Sequence, residues 1–284
     1  MAYSAKITRK DPGYFVFLID QSGSMADGQG GGSADSKIIT ATDATNRLLN
    51  NLVIRSSRGD AVYDYFSVSI VAYGNDQAWA PWQGGLAGKN VVTSSELEAN
   101  PARVESRLET FSDGAGGHRE LSINVPVYID PASGGSTPMC RALQNAYRLC
   151  EWWVGKHPTG FPPIVLNVTD GEATDGDPVT DARRLTSLST ADGNVLLFNL
   201  HLSSDIARAQ AYPNNDGMLA DAFAKRLFSM SSVLPEPMRQ AAGGLGLTLE
   251  PGSRGFVFNA DPVQLMHFLE IGTTPNLYAT PPDR

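Results

Sequence analysis

The sequence is poor in several features that mark large protein classes. Only 2 of its 284 residues are cysteine, Cys140 and Cys150. They fall on one expected helix, about 15 Å apart along its axis, too far for a disulfide. The chain therefore reads as one from a reducing compartment. No apolar run approaches the roughly 20 residues that a membrane-spanning helix needs. Met1 to Gly13 is polar and charged, with no apolar stretch of signal-peptide type after it, so the expectation is no secretory signal and a cytoplasmic location. No Lys/Arg-rich block occurs, and 22 basic against 30 acidic residues leave a net charge of −8. That balance argues against a nucleic-acid or anionic-membrane partner, because a phosphate surface rewards clustered Lys and Arg. Histidine is scarce as well: His118, His157, His201 and His267 are scattered, with no metal-ligand spacing.

What is present is a globular pattern, with 42% hydrophobic residues and enough length to bury a sizeable core. Tyr14 to Ile19 is continuously apolar and β-prone, as expected of a strand buried on both faces in a parallel sheet. Val68 to Tyr73, Ile164 to Val168 and Val195 to Leu202 read the same way, and Phe256 to Phe258 as a short last strand. Gln77 to Trp82 reads as an edge hairpin partner and Val125 to Ile129 as a further strand. Helical spacing of apolar residues runs from about 36 to 55 and from Met139 to Trp153, with Thr137 as the expected N-cap and Pro138 at the first helical position. Asp177-Pro178 opens another helix in the same manner, further helices are expected at 217–230 and 236–242, and Asp261-Pro262 starts the last.

Apolar strands alternating with capped helices predict a three-layer α/β fold: a mostly parallel sheet with one short antiparallel edge strand and helices on both faces. We expect one domain over 12–272, an irregular insertion at about 84–117 with a short helix near 100–108, and a mobile tail at 273–284. Ligands of such sheets bind beyond the carboxyl ends of the strands. Attention therefore falls on the polar groups that end them.

Three loops stand out. Asp20-Gln21-Ser22-Gly23-Ser24 follows the first strand, Ser136-Thr137-Pro138 precedes a helix far downstream, and Thr169-Asp170-Gly171 follows the strand at 164–168. Their carboxylates and hydroxyls are hard oxygen donors, suited to Mg²⁺ or Ca²⁺. Each piece alone also has a plain structural reading as a turn or a cap.

Together the three loops make the chain resemble the von Willebrand factor type A (VWA) family, with its Rossmann-like fold and metal-ion-dependent adhesion site (MIDAS). The resemblance implies a metal centre of Asp20, Ser22, Ser24, Thr137 and Asp170 holding a divalent cation, Mg²⁺ first, with Ca²⁺ or Mn²⁺ as alternatives. It implies a non-enzymatic protein–protein interaction module whose partner offers an Asp or Glu to the metal. It further implies a stand-alone bacterial setting beside AAA-type ATPases, kinases or phosphatases, or in stress responses. Two alternatives stand beside it: a metal-dependent hydrolase with Glu172 as the nearby base, and a structural module with a vestigial site. Other candidates fail on their residues. Gly84 to Asn90 lacks the spacing and the Ser/Thr of a phosphate loop. Asp20-x-Ser22 lacks the second Asp of haloacid dehalogenase-type enzymes, and no Gly-x-Ser-x-Gly elbow occurs.

Overall fold

A computed structural model describes residues 3–28, 35–112, 118–202, 209–219, 222–260 and 262–272. In chain order the elements are β1 (Gly13–Asp20), α1 (Lys37–Ser56), β2 (Ser57–Arg58), β3 (Ala61–Val62), β4 (Phe66–Gly74), β5 (Gln77–Trp79), β6 (Val92–Thr93), α2 (Ser94–Ala99), β7 (Arg103–Ser112) and β8 (His118–Val127). They continue with α3 (Met139–Lys156), β9 (Ile164–Thr169), α4 (Pro178–Ser187), β10 (Leu196–His201), β11 (Gln210–Ala211), α5 (Ala222–Met230), α6 (Glu236–Ala242), β12 (Phe256–Phe258) and α7 (Pro262–Gly272).

The fold is α/β, with the main sheet ordered β11-β12-β10-β9-β1-β4-β5 and β6 also paired to β4. Strands β12, β10, β9, β1 and β4 are mutually parallel. Antiparallel strands are more numerous than the one expected: β5 and β6 pair with β4, and β11 pairs with β12. Every residue of β1 is buried, which explains its unbroken apolar run. Phe15, Phe17 and Ile19 join a core with α1, α6 and α7, while Tyr14, Val16 and Leu18 join one with α3, α4 and α5. Helices thus cover both faces. The chain passes from β1 to β4 on one side, and β9 then takes the other side of β1. The switch in strand order lies at β1, the place where such sheets leave a crevice.

The stretch expected to be irregular is more ordered than its composition suggests. The short helix falls at α2, ahead of 100–108, and Thr93 starts it with a capping box: its side chain accepts from the Glu96 amide, and Glu96 reaches back to the Thr93 amide. Residues 103–112 instead pair with 118–127 as a two-stranded hairpin, so Val125 belongs to its return strand. Leu108 is 73% exposed and Val104 57%. Strand β7 carries Val104 and Leu108 outward, so it lacks the pattern of a half-buried strand and its Glu, Arg and Leu mimic a helix, whereas β8 buries Val125 and Val127. On the side toward α1, Arg107 pairs with Asp43, and Asn46 receives the Tyr128 amide at 2.9 Å. Asp261 and the tail at 273–284 lie outside the described residues. Both cysteines are free and buried. Among the described residues no helix is long and apolar enough to cross a membrane.

Candidate functional site

Main-chain hydrogen bonds draw the three singled-out loops together beyond the carboxyl ends of β1, β4 and β9. The Gln21 amide donates to Tyr73 O at 2.8 Å, and Gly134 N donates to Gln21 O at 2.8 Å. Gly23 N donates to Gly135 O at 3.1 Å, and Asn75 N to Gly134 O at 3.2 Å. The approach requires glycine at Gly74, where a Cβ would lie 2.6 Å from Gln21 O, and at Gly135, whose φ is +65°. The loop before α3 is thereby stitched to the ends of β1 and β4.

Asp20 is fully buried. Its Oδ1 accepts from the Ser22 amide at 2.8 Å, and its Oδ2 accepts from Thr169 Oγ1 at 2.6 Å. Burial pushes its carboxyl up to about 6, although these hydrogen bonds pull the other way. Ser22 and Ser24 Oγ lie 3.3 Å apart, and Ser24 Oγ donates to Asp170 Oδ1 at 2.7 Å. Thr137 is buried beside them; its Oγ1 and that of Ser24 both face Gly171, 3.6 and 3.7 Å from where a Cβ would stand. The fold thus brings Asp20, Ser22, Ser24, Thr137 and Asp170 to one place.

Thr137 is not the cap of α3. The helix starts after Pro138, and the Thr137 amide donates instead to Thr174 Oγ1 at 3.0 Å. Asp175 does the capping, accepting from the amides of Cys140 at 3.0 Å and Arg141 at 2.9 Å. Asp177 caps α4 as expected, accepting from Val179 N. His201 ends β10 level with Thr169, but its ring stacks on Phe258 at 4.8 Å and meets Phe223 edge-on. Glu172 is exposed on the loop after Asp170.

The residue that the sequence did not disclose is Lys37, the first of α1. Its Nζ donates to Asp170 Oδ2 at 2.5 Å, and the two side chains are only 5% and 1% exposed. Both oxygens of Asp170 are therefore engaged, one by an ammonium and one by a hydroxyl. A divalent cation on Asp170 would have to share the carboxylate with the ammonium and displace the Ser24 hydroxyl, so it does not fit the arrangement as it stands. Among the described residues, no group of three or more His, Cys, Asp or Glu that could hold a metal is assembled.

No family model matches the chain, and no curated protein matches it. Solved structures with some likeness include three N-terminal domains of the type V pili tip protein Mfa5 from Porphyromonas gingivalis, at TM-score 0.31 and 13% identity over 57% of this chain and 20% of that one. The pilus adhesin RrgA from Streptococcus pneumoniae has a TM-score of 0.31 and 14% identity over 60% of this chain and 22% of that one. The adhesive tip pilin GBS104 from Group B Streptococcus agalactiae has a TM-score of 0.30 and 15% identity over 57% and 46%. The chain thus spans less than half the length of each of these structures, and likeness at this level carries no functional argument.

The VWA resemblance is corrected here: no family model supports it. With it fall the reading of the loops as a metal-ion-dependent adhesion site, and the function of recruiting an acidic partner through that site. The physical reason lies in the pattern itself. Each of its pieces is an ordinary turn or strand end, and the structure pairs the Asp170 carboxylate with a lysine.

Proposed function

We propose that the chain is a non-catalytic binding domain that receives a positively charged segment of a protein partner over the strand-end crevice. The observation that supports this reading is the charge around the crevice. Asp27, Asp76, Glu172, Asp175 and Asp177 are all exposed on the loops that surround the buried Asp20 and Asp170. The internal ammonium, Lys37, is already engaged by Asp170, and the exposed Arg141 guanidinium, which donates to Asp76 O at 2.6 Å, offsets only part of this charge. Exposed carboxylates on several converging loops reinforce one another's field and favour a cationic ligand. Against catalysis stands the Ser24 hydroxyl, which donates directly to Asp170 rather than to an imidazole base.

The test is fluorescence anisotropy with a labelled oligolysine and a labelled oligoglutamate peptide, each with Mg²⁺ and with EDTA. Oligolysine is expected to bind in both conditions, to weaken with salt, and to weaken several-fold in Glu172→Lys. Glu98→Lys, an exposed site beside the amino-terminal end of β4, serves as the control and is expected to leave binding unchanged. Equal weakening by both substitutions, or Mg²⁺-dependent binding of oligoglutamate, would overturn the reading.

A further inference from the structure

We infer that Lys37 is the resident cation of the acid–hydroxyl cluster, and that the cluster accepts a divalent ion only once this lysine is removed. The inference concerns the buried cluster and does not rest on the chemistry of the proposed partner.

The geometry carries it. Lys37 begins α1, and its amide donates to Asp27 O at 3.0 Å, which anchors the helix start beside the loop that holds Ser22 and Ser24. From there its side chain descends to Asp170 Oδ2, and both partners are almost wholly excluded from water. An ammonium carries three donors and one charge on a flexible stem. Mg²⁺ requires six oxygens in near-octahedral array at about 2.0–2.1 Å. A divalent ion on Asp170 would share the carboxylate with the ammonium, which stands 2.5 Å from Oδ2, in surroundings where like charges repel strongly. Ion and lysine are therefore mutually exclusive. Without the ammonium, Asp20, Ser22, Ser24 and Asp170 would be left as oxygen donors around an uncompensated buried charge, and hard-oxygen sites of that kind take Mg²⁺ or Mn²⁺.

Thermal unfolding and isothermal titration with MnCl₂, MgCl₂ or EDTA test this on the full chain. The wild type is expected to show the same Tm in all three and no heat of ion binding. Lys37→Met, which keeps the stem length without the charge, is expected to gain a Mn²⁺-dependent rise in Tm of about 5 °C at an ion concentration on the order of a hundred times Kd. Lys37→Arg, which retains the charge, is expected to behave as wild type. Should Lys37→Met fold only with Mn²⁺ present, that rescue supports the inference; if it folds under neither condition, Lys37→Gln is read in its place. Stabilisation of the wild type by Mn²⁺ and its reversal by EDTA would overturn the claim that lysine holds the site. Folded Lys37→Met and Lys37→Gln proteins without any response to Mn²⁺ or Mg²⁺ would overturn the claim that the cluster can hold an ion.

Discussion

Two polar regions share strand β9, and they solve the burial problem differently. In the middle of the sheet, Tyr73 hydroxyl donates to Asn167 Oδ1 at 2.9 Å, Asn167 Nδ2 donates to Asn199 Oδ1 at 3.0 Å, and Asn199 Nδ2 donates to Ser231 Oγ at 3.0 Å. Ser231 Oγ closes the run on Leu227 O at 2.8 Å. All four side chains are buried, and none needs a counter-charge. At the end of the same strand, Asp170 is a carboxylate and is matched by an ammonium. A neutral amide is tolerated deep in a core once its hydrogen bonds are made. A buried carboxylate either takes a cation, as Asp170 does, or is pushed toward its neutral form, as Asp20 is, and a cation on a long stem arrives most easily at the sheet's edge. The neutral ladder therefore runs across the interior, while the charged cluster sits at the strand ends.

The largest expected effect comes from breaking the charged region. Lys37→Met leaves Asp170 buried without its ammonium and should lower unfolding stability by about 3–5 kcal/mol in urea titrations without added metal. A loss below about 1 kcal/mol would mean that the pair contributes little and that the contrast with the ladder is false. Asn167→Ala removes the centre of the neutral ladder and strands the Tyr73 hydroxyl and Asn199 Oδ1. It should lose about 3 kcal/mol, with no dependence on pH between 4 and 8.

That pH independence separates the two regions. The carboxyl of Asp20 titrates near 6 when folded, above its ordinary value of 3.8, because burial penalises its charged form. Its neutral form therefore favours folding fully below about pH 4, and this contribution is lost as the pH rises through about 6. Comparing wild type with Asp20→Asn should show their stability difference changing by on the order of 2–3 kcal/mol between pH 4 and 7; a constant difference would mean that burial does not shift the Asp20 carboxyl. The smallest expected effect is that of Ser24→Ala, which removes one hydroxyl donor from Asp170 but leaves the ammonium. It should lose about 1 kcal/mol, and a loss as large as that of Lys37→Met would shift the weight of the cluster from charge to hydroxyl.

Much of the fold was legible in the residues. The apolar runs of β1, β4, β9 and β10 are strands because a strand buried on both faces has no polar side to show. Asp177-Pro178 marks the start of α4 by local chemistry alone. The same logic failed at Thr137, whose sequence context is that of a cap, because Asp175, 35 residues beyond Cys140, reaches the helix start first. It failed again at 103–112, which pair with 118–127 and carry Val104 and Leu108 exposed, so apolar residues do not mark a buried face there.

By itself the sequence determined the α/β class, the loops at which strands end, and the oxygen-rich character of the residues there, since these follow from local periodicity and side-chain chemistry. Only the tertiary structure decided what neutralises those residues. Lys37 and Asp170 stand 133 positions apart, and no local pattern links them. Their pairing exists because β1 lies beside β9, because α1 begins just above the crevice between them, and because an ammonium offsets the cost of burying the Asp170 carboxylate.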